Sequence, residues 1–123
     1  MTEEIQQFYG LPHCTTCQKV QAQLESHGVK LKQYVNVKTD SVDRTTLESL
    51  AAKLGGVEKL FSKRALKYRA MNLHLRQTPL TEDEMLDLMA SEYTFIRRPT
   101  LVTKSGQVYA APSKKQLEAL YNA

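Results

Sequence analysis

The sequence predicts an α/β fold in which a β-α-β half and a β-β-α half flank a helical middle segment. Three observations carry that prediction. An apolar strand-like run, an amphipathic helical stretch and a second strand-like run follow one another from residue 5 to residue 37. Two strand-like segments joined by a tight turn lie near the end of the chain. The residues between these halves show helical signals only.

Ile5–Tyr9 is short, apolar and aromatic, and Gly10 with Pro12 ends it, which reads as a strand. From Cys14 to about Ser26, Cys17, Val20 and Leu24 recur at helical spacing, and His27-Gly28 supplies a stop. Leu31–Val37 alternates and reads as a second strand. Arg44–Leu54 places Leu47, Leu50, Ala51 and Leu54 on one stripe, closed by Gly55-Gly56. Residues 57–77 read as short helical turns and loop. Thr81 and Glu84 have the spacing of a capping box, with Leu80 and Met85 as its hydrophobic staple, which opens a helix from about Glu82 to Ala90. Thr100–Thr103 and Gln107–Ala110, separated by Lys104-Ser105-Gly106, read as a hairpin. Ser113 and Gln116 form a second capping box before a last helix with Leu117 and Leu120 inward.

Two crossover-linked strands followed by a hairpin and a helix are what a thioredoxin-type sheet requires, with the helical block inserted between the halves. An unrelated α+β sandwich fits the same string. With 123 residues and neither an internal repeat nor a Pro/Ser-rich linker, the chain reads as one domain over 1–123, with the insertion at about 40–94. The apolar runs are too short for a membrane helix. Residues 1–12 begin acidic and hold no apolar signal core, so a cytoplasmic protein is expected.

The formal charge is +4 and sits unevenly. Residues 1–60 balance, whereas Lys63, Arg64, Lys67, Arg69 and Arg76 form a run without an acid from Phe61 to Thr81. Such a run is ordinarily a solvated basic face, and an anionic partner is its sharper reading. No zinc finger or RNA-binding aromatic signature accompanies it, so direct nucleic-acid binding is not expected.

Cys14-Thr15-Thr16-Cys17 falls at the strand-to-helix junction. Two cysteines make no disulfide scaffold, and in a reducing compartment they stay thiols unless used chemically. A thiol at a helix N-terminus faces unpaired amides and the positive end of the dipole, which favour the reactive thiolate. Cys17, one turn on, is placed to attack Cys14 in a mixed disulfide. Cys14 is therefore the expected exposed attacker; the bland alternative is a pair of buried helix cysteines. No metal is expected, because Cys14, Cys17 and the adjacent His13 lack a fourth ligand at finger spacing. His27 fits a helix C-terminus, and His74 has no nameable partner. In Arg97-Arg98-Pro99-Thr100, the proline stands at the mouth of a strand, where an X-Pro bond can be cis. In a thioredoxin-like fold that proline lies opposite Cys14, and one of the two arginines is placed to pair with the thiolate or grip an anion.

Four segments together, PHCTTCQKVQAQLESHGV (12–29), GVEKLFSKRALKY (56–68), LTEDEMLDLMA (80–90) and FIRRPTLVTKSGQVYAAPSKKQLEAL (95–120), resemble the arsenate reductase/Spx family of thioredoxin-fold proteins. The resemblance implies a helical insertion, a cis proline at Pro99, a nucleophilic cysteine at Cys14 and an oxyanion-facing arginine at Arg98. The family's arsenate reductases typically use one cysteine, with glutathione and glutaredoxin as reductants, and three arginines. Arg98 matches one of these; Ser62 stands at another's place with Arg64 two residues later, and Ala111 stands at the third's, which counts against a dedicated arsenate reductase. The CxxC pair and Ser62-Lys63-Arg64 look instead like Spx-type redox regulators. Gly56 matches their glycine that helps contact the C-terminal domain of the RNA polymerase α-subunit. Two function classes follow. One is thiol-dependent reduction of an oxyanion or disulfide by Cys14, Cys17 and Arg98, with Arg64 as a second anion contact. It needs no bound cofactor, only glutathione/glutaredoxin or thioredoxin as electron donor. The other is a redox-sensing regulator that docks on the polymerase.

Overall fold

The computed structural model of the chain describes residues 4–122. The element order is β1 (Ile5–Gly10), α1 (Thr15–Ser26), β2 (Tyr34–Asn36), α2 (Arg44–Leu54), α3 (Leu66–Ala70), α4 (Glu82–Ser91), β3 (Thr100–Thr103), β4 (Val108–Ala110) and α5 (Lys114–Tyr121). Single 3-10 turns at Val57–Lys59, Leu73–Leu75 and Tyr93–Phe95 complete it. Two compact units emerge, Met1–Asp40 with Arg98–Ala123, and Ser41–Arg97.

The first unit is a four-stranded mixed sheet in the order β2-β1-β3-β4 with α1 and α5. β1 runs parallel to β2, pairing Phe8 with Tyr34, Tyr9 with Val35 and Gly10 with Asn36. It runs antiparallel to β3, pairing Tyr9 with Thr100 and Phe8 with Leu101. Parallel neighbours need a crossover, which α1 supplies, whereas β3 and β4 need only a tight turn. The architecture is thioredoxin-like. Ile5, Phe8 and Leu101 from the sheet pack with Cys17, Val20 and Leu24 of α1 and Leu117 and Leu120 of α5. These are the helix stripes that the 3.6-residue spacing selects. α5 starts at a capping box in which the Ser113 hydroxyl accepts from the Gln116 amide (3.2 Å) and the Gln116 side chain accepts from the Ser113 amide (2.9 Å). At the other end of α1, the His27 ring stacks on Tyr121 at 3.7 Å, and Gln23 donates to the Tyr121 hydroxyl (3.1 Å).

β2 is shorter than the alternation of Leu31–Val37 suggests. It lies at the sheet edge, and its ladder with β1 is broken: Leu31 forms an isolated bridge with Ile5, and regular pairing resumes only at Tyr34. Lys32 and Gln33 between them are exposed, so no burial enforces a continuous strand there.

In the second unit, Asp43 caps α2 by accepting from the Thr46 amide (2.8 Å), and Gly55 ends the helix at φ 91°, a conformation costly for other residues. Leu47, Leu50 and Ala51 of α2 are buried, as are Met85, Leu86 and Met89 of α4, and the Phe61 and Phe95 rings stack at 5.3 Å. The capping box at Thr81 and Glu84 is formed in both directions. Arg44 of α2 pairs with Asp83 and Asp87 of α4. The basic run is partly consumed locally: Lys67 pairs with Glu92 (2.8 Å) and Arg76 with Glu84 (2.6 Å). The Arg76 guanidinium, with help from the Thr81 amide, holds the Glu84 carboxyl at about 2. Lys63, Arg64 and Arg69 form no ion pair among the described residues. No helix among those residues is long and apolar enough to cross a membrane.

Ala111 sits at φ 46°, in the left-handed region, while its amide donates to the Pro99 carbonyl (2.8 Å). A side chain there is strained, and glycine removes the strain at the expense of a more flexible unfolded chain. Ala111→Gly is therefore expected to stabilise the protein by about 0.5–1 kcal/mol, read as a raised midpoint in urea unfolding. A lowered midpoint contradicts this.

Candidate functional site

The candidate site forms at the end of β1 in the first unit. The register is decisive. Because Tyr9 pairs with Thr100, the residues entering β3, Arg98 and Pro99, arrive beside the end of β1, from which the chain turns into the N-terminus of α1. The Arg98–Pro99 peptide is cis, and Pro99 is buried.

Cys14 is the N-cap residue of α1, with extended backbone angles (φ −83°, ψ 117°). The usual cap residues would satisfy a helical amide with a side-chain oxygen. Cysteine makes no such formed cap here, and the first turn carries no acidic side chain. Partial burial works against ionisation at Cys14. The backbone amide and thiol of Cys17, the Arg98 guanidinium and the Thr16 amide together outweigh it and hold the Cys14 thiol below its ordinary value. Cys17 is wholly buried in the core, and that burial, reinforced by the negative charge of Cys14, pushes its thiol up to about 12. One turn of helix thus holds two thiols of opposite character. Both are free thiols in this structure.

Arg98, not Arg97, acts on the cysteines: its charge favours the thiolate of each. Arg97 belongs to the second unit, where its amide donates to the Leu60 carbonyl (2.9 Å) and its guanidinium to the Lys59 carbonyl (3.3 Å). Arg64 also belongs to that unit, exposed in the turn before α3, with its amide donating to the Ser62 hydroxyl (3.3 Å). Gly56 follows the cap of α2 and lines a cleft of about 540 Å³ together with Arg44, Glu48 and Asp83. A Cβ on it would lie 2.5 Å from the Glu58 carboxylate. His13 is exposed next to the cysteine pair, and His74 is exposed on the second unit. Among the described residues, no three His, Cys, Asp or Glu side chains gather as a metal ion requires.

Two members of the site escape sequence reasoning. Gly10 is buried, and a Cβ there would fall 2.8 Å from Cε1 of Phe8, 2.9 Å from the Tyr34 hydroxyl and 3.2 Å from the Cys17 sulfur. The glycine that reads as a strand terminator is thus required by close approach. Tyr34 stacks on Phe8 at 4.9 Å, its strand partner, and its hydroxyl is carried to the cysteines. Burial, then the charges of Cys17 and Cys14, raise the Tyr34 hydroxyl above its ordinary value. The signal for Gly10 was its place just before the CxxC turn; Tyr34 had none, because its approach depends on strand register.

A model of the ArsC family matches residues 9–119. The chain belongs to the ArsC family. YusI of Bacillus subtilis (strain 168) is 33% identical over 112 residues, which cover 90% of this chain and 93% of that protein. The global transcriptional regulator Spx of Enterococcus faecalis is 26% identical over 96 residues, covering 77% of this chain and 70% of that one. Among solved structures, an arsenate reductase from Vibrio cholerae superposes with a TM-score of 0.76 over 99% of this chain and 98% of its own. At 23% identity that likeness carries the fold alone. The ArsC assignment agrees with the family that the four sequence segments resemble.

The electrostatics of the site predict how it reacts. Alkylation of Cys14 should titrate with a midpoint below the ordinary thiol range. Arg98→Gln removes a favourable charge and should move that midpoint up, measured as alkylation rate against pH. A midpoint that Arg98→Gln leaves unchanged means that the guanidinium does not act on the sulfur.

Proposed function

We propose that this ArsC-family protein is a thiol–disulfide redox protein in which Cys14 reduces a disulfide or an oxyanion and Cys17 completes the cycle. The asymmetry of the two thiols supports the reading: the partly exposed sulfur favours its charged form, and the buried one keeps its proton. On a disulfide, the Cys14 thiolate attacks one sulfur, a Cys14 mixed disulfide forms, and the other sulfur leaves as a thiolate. Cys17 then loses its proton to solvent and attacks the Cys14 sulfur, so the second thiolate leaves and a Cys14–Cys17 disulfide remains. The substrate has gained two electrons, and an external dithiol or glutathione returns the pair to its thiols. Arg98 stabilises the negative charge at Cys14 and on an anionic substrate. The cycle requires a reducing compartment, in keeping with a cytoplasmic location.

Turnover is read as NADPH oxidation coupled through glutathione/glutaredoxin or thioredoxin, with a disulfide and with arsenate as substrates. Wild type should turn over the disulfide, Cys14→Ser should fall to background, and Cys17→Ser should stall as a mixed disulfide visible by mass spectrometry. Wild type no faster than Cys14→Ser on either substrate overturns the proposal.

A second reading rests on the relative named global transcriptional regulator Spx, together with Gly56 among the residues lining a cleft. In it, oxidation of the same cysteine pair alters docking to the C-terminal domain of the RNA polymerase α-subunit. Pull-down of that domain by oxidised and reduced protein should then differ, and Gly56→Arg should reduce it; no retention in either state removes this reading.

A further inference from the structure

The redox reading leaves one chemical difficulty, and Tyr34 addresses it. Cys17 must become a thiolate to resolve the mixed disulfide, yet it is wholly buried and belongs to the hydrophobic core of the first unit. The Leu11 amide and the Arg98 charge favour the anion, but burial outweighs both, and a buried anion with too few donors is costly. The Tyr34 hydroxyl lies 2.9 Å and the Cys17 sulfur 3.2 Å from the point that a Cβ on Gly10 would occupy, so both border the small space left by the missing side chain. Stacking on Phe8 fixes the Tyr34 ring in this position. Tyr34 is half-buried, and its hydroxyl has no hydrogen-bond partner among the described residues. No buried side-chain oxygen among those residues lacks a partner, so this hydroxyl retains contact with solvent while it borders the same small space as the Cys17 sulfur.

We infer that Tyr34 is a further catalytic residue of the redox pair, its O–H donating a hydrogen bond to the Cys17 sulfur as negative charge develops there during attack on the Cys14 mixed disulfide. The proton of Cys17 goes to solvent, Tyr34 keeps its own, the Cys14–Cys17 bond forms, and the outgoing thiolate carries the electron pair. Burial, and then the charges of Cys17 and Cys14, favour the protonated phenol, which is the form a donor must have. Gly10 contributes by leaving the space open. This inference rests on the redox reading proposed above.

The test uses the whole reduced protein and an aromatic disulfide whose released thiolate is coloured. Attack by Cys14 releases a first thiolate and attack by Cys17 a second; Cys17→Ser, which should lose the second phase alone, assigns the two. Tyr34→Phe, which keeps the stacked ring, is expected to leave the first phase unchanged and to slow the second by about tenfold or more, the scale of a lost hydrogen bond to a charged group. An unchanged second phase overturns the inference, as does equal slowing of both phases, which marks a merely structural tyrosine. Wild type that releases a first thiolate but never a second overturns the redox pair itself, and the role of Tyr34 with it.

Discussion

The central strand β1 is held between a parallel neighbour and an antiparallel one, and the site depends on that arrangement. The parallel neighbour demands a crossover helix, so the chain leaving Gly10 must turn at once into α1, with Cys14 at its first turn. The antiparallel neighbour brings the start of β3 to that same end, which sets Arg98 and Pro99 beside the turn. On the other side, the Phe8–Tyr34 pair delivers a phenol to the sulfurs. A slip of one residue in either register would move these side chains to the opposite face and dismantle the site.

Within that frame, chemistry is divided between adjacent turns of one helix. Cys14 caps α1, where amides that a conventional cap would occupy remain turned toward sulfur and Arg98 adds a positive charge. Cys17, three residues further, belongs to the core stripe with Val20 and Leu24, and its burial suppresses ionisation. The helical period that packs α1 on the sheet is also what makes the two thiols unequal. A partly buried thiol that favours its thiolate and a wholly buried one that keeps its proton follow from a single spacing rather than from two separately built environments.

Much of this was legible in the chain. The stripe Cys17, Val20, Leu24, the capping boxes at Thr81 and Ser113 and the hairpin turn at Lys104–Gly106 are local patterns, and local patterns fix local structure. The position of Cys14 at a helix start followed from the same logic. The residues alone left Arg97 and Arg98 open, and only the family resemblance chose Arg98; the register of β3 sets Arg98 beside the cysteines while Arg97 bonds to the carbonyls of Lys59 and Leu60. The early end of β2 was equally hidden: alternation at Leu31–Val37 satisfies a strand pattern, but an edge strand pairs only where its single neighbour permits. Tyr34 was read as one residue of that alternation, and Gly10 as a terminator. Their approach to the sulfurs is a consequence of non-local pairing. The basic run, too, changes meaning once Arg76 and Lys67 are seen paired with Glu84 and Glu92.

The inequality of the two thiols is the central claim, and following the Cβ chemical shifts of both cysteines through a pH titration of the native, reduced protein tests it most directly. Cys14 should shift to its thiolate value below the ordinary thiol range, while Cys17 keeps its thiol value until about 12 or until the protein unfolds. Two cysteines that titrate together near the ordinary thiol value would contradict the account.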